Sequence, residues 1–185
     1  MRGGVLALLM WTAGTSGAVA QNWAEGAPDT PRFEQCLPEQ MALFEAQLAG
    51  PAYGADWRRD AFNAHWVQHC GYLAVGICDV SHNTVVCQRR LQVTWEARSE
   101  DLLDLLPAPE TVSGQPLSPL YGQVWALAHG RNAGDDCAGW DYRRMIWCRT
   151  FEAALKYEEA VWAWQVARLM GVMGPLDWVE FSDLD

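Results

Sequence analysis

Six cysteines, Cys36, Cys70, Cys78, Cys87, Cys137 and Cys148, follow an N-terminal stretch built like an export signal. Arg2 supplies a positive start, Val5 to Trp11 an apolar run, and Ala18-Val19-Ala20 a small-residue cleavage site before Gln21. Residues 1–20 therefore read as a signal peptide, and the protein as periplasmic or secreted. An even set of cysteines in an oxidising compartment implies three disulfides, with metal ligation as the lesser alternative. Geometry restricts the pairing. Cys70 and Cys78 lie on one helical stretch and are about 12 Å apart at ~1.5 Å per residue, beyond the roughly 7 Å that a bridge spans. In an antiparallel helix pair, residues equidistant from the turn face one another. Cys36 and Cys70 are symmetric about Tyr53, and Cys78 and Cys87 about the His82–Asn83 turn. Cys137 with Cys148 follows only by elimination.

The helices themselves are marked by apolar periodicity and by Pro and Gly punctuation. Residues 21–35 are polar and rich in Pro and Gly, and read as an extended lead-in. A first helix is expected from Pro38 to Ala49 with Met41, Phe44 and Leu48 inward. A second begins near Asp56 and carries Phe62, Trp66, Cys70, Leu73 and Ile77 on one face. The third runs from about Thr84 to Leu106 with Cys87, Leu91, Trp95, Arg98 and Leu102 along its stripe, and Pro107 and Pro109 stop it. Residues 107–119 form a loop, after which Ser118 as N-cap and Pro119 in the first turn open a fourth helix with Leu120, Val124 and Leu127. A fifth spans about Asp141 to Met170 with Cys148, Phe151, Leu155, Trp162, Val166 and Leu169 on its seam, ended by Gly171, Gly174 and Pro175. No stretch alternates with a period of two. The expected fold is all-α, a small disulfide-linked antiparallel bundle of about five helices over residues 36–170, followed by an acidic tail over 171–185.

Charge narrows the functions. The chain carries 23 acidic against 13 basic residues, and the 20-residue leader contains one Arg and no acid, so the exported form moves from −10 to −11. Such a field repels nucleic acid and anionic lipid, and attracts a basic protein. No later stretch is apolar for about 18 residues, so no membrane span is expected after cleavage. Chemistry-bearing motifs are sparse. His65 and His69 share a helix face at i, i+4, but no Glu follows His65 and no motif places His82 or His129 as further ligands. The serine-nucleophile elbow and the Gly-rich phosphate loop are absent, and bridges would consume every thiol. No catalytic residue, metal or cofactor is expected, and the chain reads as a binding protein rather than an enzyme.

Its candidate contact residues are an acidic ridge, Glu96, Glu100 and Asp104 at i, i+4, i+8 of the third helix, together with the 107–119 loop. Trp164 joins them: it lies about 200° around the helix from Trp162, so the two cannot face one core, and either a second layer such as the tail with Trp178 and Phe181 covers it or it is an anchor for a partner. Trp is also among the residues that dominate interface energetics.

The order Cys70-x7-Cys78, then Cys87-x7-Trp95-Glu96-x-Arg98 and Leu102-Leu103, resembles the LprI-type lysozyme-inhibitor family of small exported bacterial proteins. The resemblance is good over residues 70–106 and looser over 120–168, where Trp125 to Cys137 is four residues longer than the family's Trp-to-Cys spacing. Gly71 is shifted by one from the family's glycine, Glu96 stands for its Asp, and Ser99-Glu100 replaces a Leu-Asn pair. The resemblance implies a non-covalent inhibitor that occludes the cleft of a basic, lysozyme-type wall hydrolase. The alternative is a non-catalytic accessory module binding another envelope protein. No inhibitory residue is carried over, since the matching motif residues read as structural.

Overall fold

The computed structural model describes residues 33–49, 65–131 and 137–176. Among these the chain is all-α: α1 (Phe33–Ala49), α2 (His65–Asp79), α3 (Thr84–Leu105), a short 3₁₀ turn (Pro109–Val112), α4 (Ser118–Gly130) and α5 (Tyr142–Leu169). The signal segment, the start of the second predicted helix with Phe62, and the tail from residue 177 lie outside the described residues.

All three expected disulfides are present. Cys36 pairs with Cys70, Cys78 with Cys87 and Cys137 with Cys148, and no cysteine is free. The first starts α1 earlier than its punctuation suggests. Helix α1 begins at Phe33, inside the predicted lead-in, and Pro38 sits within it. A proline there removes one backbone hydrogen bond and costs about 3 kcal/mol in a free helix. The bridge from Cys36 to α2 and the burial of Leu37, Met41 and Phe44 hold this turn in place.

Helices α2 and α3 form the antiparallel hairpin that the Cys78–Cys87 symmetry requires. The predicted α3 stripe is buried throughout, with Trp95 and Leu102 fully enclosed. On α2 the stripe is rotated. Val67, Cys70, Gly71, Ala74 and Cys78 face inward, whereas Leu73 is exposed. The Trp95 indole is responsible: it lies over Gly71, where an added Cβ would sit 3.8 Å from its Cζ2, so the smallest side chains of α2 must face it.

The most extensive packing joins α3 to α5. The Thr150 hydroxyl donates to the Gln88 carbonyl at 3.0 Å, and Lys156 lies 3.9 Å from Glu100 further along both helices, so this non-consecutive pair runs parallel. Helix α5 is antiparallel to α2, with Trp147 beside Asp79 and Phe151 beside Tyr72. It is the central element, and a helix surrounded by neighbours buries residues all round. From Ala160 to Ala167 only Trp162 is not fully buried.

This placement overturns most of the predicted seam of α5, of which only Val166 is fully buried. Ile146, Thr150, Ala153, Tyr157, Ala160, Val161, Trp164 and Ala167 face the core, while Phe151 is exposed and Leu155, Trp162 and Leu169 are half-buried. The alanines let α5 approach its neighbours closely, and Trp164 fills the remaining space against Phe44 at a ring separation of 5.4 Å. On α4, likewise, Tyr121, Val124 and Ala128 are buried and Leu127 is exposed.

Helix ends follow local chemistry. The Asp141 side chain caps α5 by accepting from the Arg144 N–H at 3.2 Å. Gly171, with φ +72°, ends it: the Val172 N–H reaches the Ala167 carbonyl and the Gly171 N–H the Arg168 carbonyl. Ser118 is the first residue of α4, after Leu117 at the cap position, so the expected Ser118 cap is not made.

Two arginines tie the periphery through three ion pairs. Arg131 bridges Glu159 and Glu152, with both contacts to Glu159 at 2.9 Å or less. Arg168 joins Glu45 of α1 to the Met173 carbonyl. Each pairing raises the guanidinium pKa, chiefly through the hydrogen bonds to its carboxylates.

Candidate functional site

Helix α3 carries opposite charges at its two ends. At the C-terminal end, Glu100, Asp101 and Asp104 are exposed, and Glu96 is half-buried and accepts from Gln92 at 2.8 Å. The 107–119 loop folds back beside them. Val112 is buried, the Tyr121 hydroxyl donates to the Pro107 carbonyl at 2.6 Å, and burial raises that phenol to about pKa 12. The Thr111 and Ser113 hydroxyls donate to the Ala108 and Glu110 carbonyls, which leaves Glu110 and residues 113–116 facing solvent. The fold thus gathers Glu100, Asp101, Asp104, Glu110 and the loop tip at one end. It does not bring Trp164 there. Trp164 is completely buried, and the expectation of an exposed aromatic anchor at that position is corrected.

Acidic groups at a helix C-terminus oppose the helix dipole, which favours cations there. Asp104 is in the last turn of α3, and that turn contains no basic residue. Among the described residues Glu100 alone of these exposed acids has a cationic neighbour, and its 3.9 Å contact is long and 70% exposed on the glutamate side. The position of Asp104 is therefore not explained by the stability of its helix.

The opposite end is basic and aromatic, a feature the sequence reading missed. Arg89 of α3 donates to the Tyr142 hydroxyl at 2.7 Å and lies 5.4 Å from its ring centre. Arg143 stands 5.9 Å from the Trp147 ring, and the Trp147 indole donates to Asp79 at 2.8 Å. Asp79 also accepts from buried Gln88 at 2.9 Å. Trp140 and Tyr142 are each 54% exposed. The sequence signal was the repeated pair Arg89-Arg90 and Arg143-Arg144, each near the start of a long helix. It acquires meaning only because α3 and α5 run parallel and bring their starts together.

Between α2 and α5 lies a shallow apolar groove. Val67, Val75, Ala154 and Leu155 line it, Trp95 and Tyr157 form its floor, and Tyr72 stacks on Phe151 at 6.4 Å across its rim. Its cavity of about 20 Å³ has room for a single water, far below the hundreds of Å³ of a small-molecule site. The histidines are dispersed. His69 is exposed, and His129 stacks on Trp125 at 3.5 Å with Nδ1 2.9 Å from the Trp125 carbonyl. The His65 side chain is outside the described residues. Among the described residues no three His, Cys, Asp or Glu side chains are grouped to hold a metal, and no helix is long and apolar enough to cross a membrane.

The described chain is therefore defined as a small all-α protein with three disulfides. Comparison with protein-family models, with curated proteins and with solved structures gives no match.

Proposed function

We propose that this protein is exported and acts by binding, and that its acidic end docks a basic protein, a lysozyme-type cell-wall hydrolase, and occludes that enzyme's cleft without covalent chemistry. The observation that carries this reading is the exposed set Glu100, Asp101, Asp104 and Glu110, largely unpaired among the described residues, with Asp104 set against the α3 dipole. Opposite charges on two partners raise the association rate and make binding sensitive to salt. The exposed residues 113–116 of the 107–119 loop beside the acids are the element that would enter a concave site. The three disulfides fit an oxidising compartment, and the family resemblance over residues 70–106 points to the same class of partner.

The test is lysis of cell-wall suspensions by basic lysozymes in the presence of the oxidised protein. Lysis should slow, more strongly at low ionic strength, and the E100Q/D101N/D104N/E110Q variant should lose the effect while keeping the wild-type circular dichroism. Absence of inhibition across several lysozyme classes at about micromolar protein sinks the proposal.

A further inference from the structure

We propose that the basic end, formed by Arg89, Tyr142 and Arg149 with Arg143 and Trp147 beside them, is a second docking surface, and that it receives a short carboxylate-rich segment of a partner protein. This goes beyond the acidic-end reading and does not depend on it.

Cations are scarce in this chain, at 13 against 23 acids, so any base should find a carboxylate easily. Arg131, Arg144, Lys156 and Arg168 do. Arg89, Arg90, Arg143 and Arg149 have no carboxylate partner among the described residues, and all four lie within the first three turns of α3 or α5. Tyr142 and Arg149, seven residues apart, share a face of α5, and Arg89 rests against Tyr142 on that same side. Arg90 lines a separate cleft with Ser81 and Asn83. Arg143, in the first turn of α5, opposes the dipole of its helix, so its charge does not stabilise that helix start.

The chemistry selects the occupant. A guanidinium presents a planar fork that matches a carboxylate. Arg89 is already held by its phenol and Arg143 lies over an indole, which lowers the entropy lost on binding. Arg, Tyr and Trp are also the residues that dominate protein interfaces. From Arg89 to Asp104 the helix rises about 22 Å, more than two Debye lengths at physiological salt, so a short segment at one end hardly senses the other. A long polyanion would extend into the negative field of the rest of the protein.

The probe is a short fluorescent peptide of alternating glutamate and serine, titrated with the oxidised full chain and followed by anisotropy. Saturable binding is expected. R89E/R149E should weaken it at least about tenfold, and E100Q/D104N should leave it unchanged. R149Q, a milder surface change, should weaken it measurably and keeps the test decisive if the double variant unfolds. The proposal is overturned by absence of saturable binding, by affinity indifferent to the arginine replacements, or by an oligonucleotide of equal charge binding as tightly as the peptide. Sedimentation showing a dimer that R149Q dissociates would assign the surface to a second copy and also overturn it.

Discussion

The Trp147 indole and the Asp79 carboxylate, 68 positions apart, meet at 2.8 Å and fasten the first turns of α5 to the last residue of α2. The same oxygen accepts from Gln88, whose side chain is fully buried at the start of α3. One acceptor thus joins three helices where the basic end is assembled.

Replacing Asp79 with Ala leaves the Gln88 amide without its best acceptor in a buried position. A loss of about 1–3 kcal/mol is expected, or roughly 2–4 °C in Tm per kcal/mol for a chain of this size. Asp79→Asn keeps an acceptor oxygen and should lose less. Thermal melts of the two variants check the order, and an equal loss would show that the acceptor is not what matters.

The disulfides should differ in value. The bridge from Cys36 to Cys70 closes a loop of separation 34, that from Cys78 to Cys87 one of 9. Loop-closure entropy then predicts about 4 kcal/mol for the first and about 3 for the second. Denaturant unfolding of C36S/C70S and C78S/C87S should show the former less stable. The reverse order would mean that strain or residual structure outweighs chain entropy.

Trp164→Ala should behave as a core truncation, costing about 3–5 kcal/mol. Trp162→Ala, at a half-buried position, should cost clearly less. Urea unfolding measures both, and near-wild-type stability for Trp164→Ala would contradict its burial against Phe44.

Alkaline stability should fall in a defined window. Tyr121 ionises at 10.0 when unexposed to the fold and is pushed up to about 12 by burial. The unfolded chain loses this proton first, so stability is unaffected below about pH 10 and declines as pH rises toward 12. Burial pushes fully enclosed Tyr157 upward as well, and it acts in the same direction. Tyr121→Phe should flatten part of this alkaline loss in denaturant titrations, after subtraction of the lost hydrogen bond to Pro107. An unchanged slope between pH 10 and 12 would exclude Tyr121 as a contributor.

Much of the fold was legible because its signals are local. Pro107, Pro109, Gly171 and the polar Asp79–Asn83 turn mark helix limits through local backbone chemistry, which at Pro38 alone is overridden by the Cys36–Cys70 bridge and the burial beside it. The α3 stripe from Cys87 to Leu102 is amphipathic enough to have one possible inner face. Two cysteine pairs followed from the symmetry of a helix hairpin, a property of chain length alone.

Tertiary packing decided what lies inside α2, α4 and α5. Apolar residues occur around most of α5, so periodicity cannot choose a face, and a reading that follows the largest side chains selects Phe151 and Trp162. The bundle chose the alanines and Trp164, because close approach of helices rewards small residues opposite large ones. The same holds for Gly71 beneath Trp95. The acidic ridge was visible as an i, i+4, i+8 pattern on one helix, whereas the basic end was not, since Arg89 and Tyr142 are 53 residues apart. Local signals sufficed for the order of the helices, two of the three bridges and the sign of the charge. The basic end depended on the parallel packing of α3 and α5, and which aromatic is buried depended on how α5 packs among all its neighbours, Trp164 against Phe44 of α1.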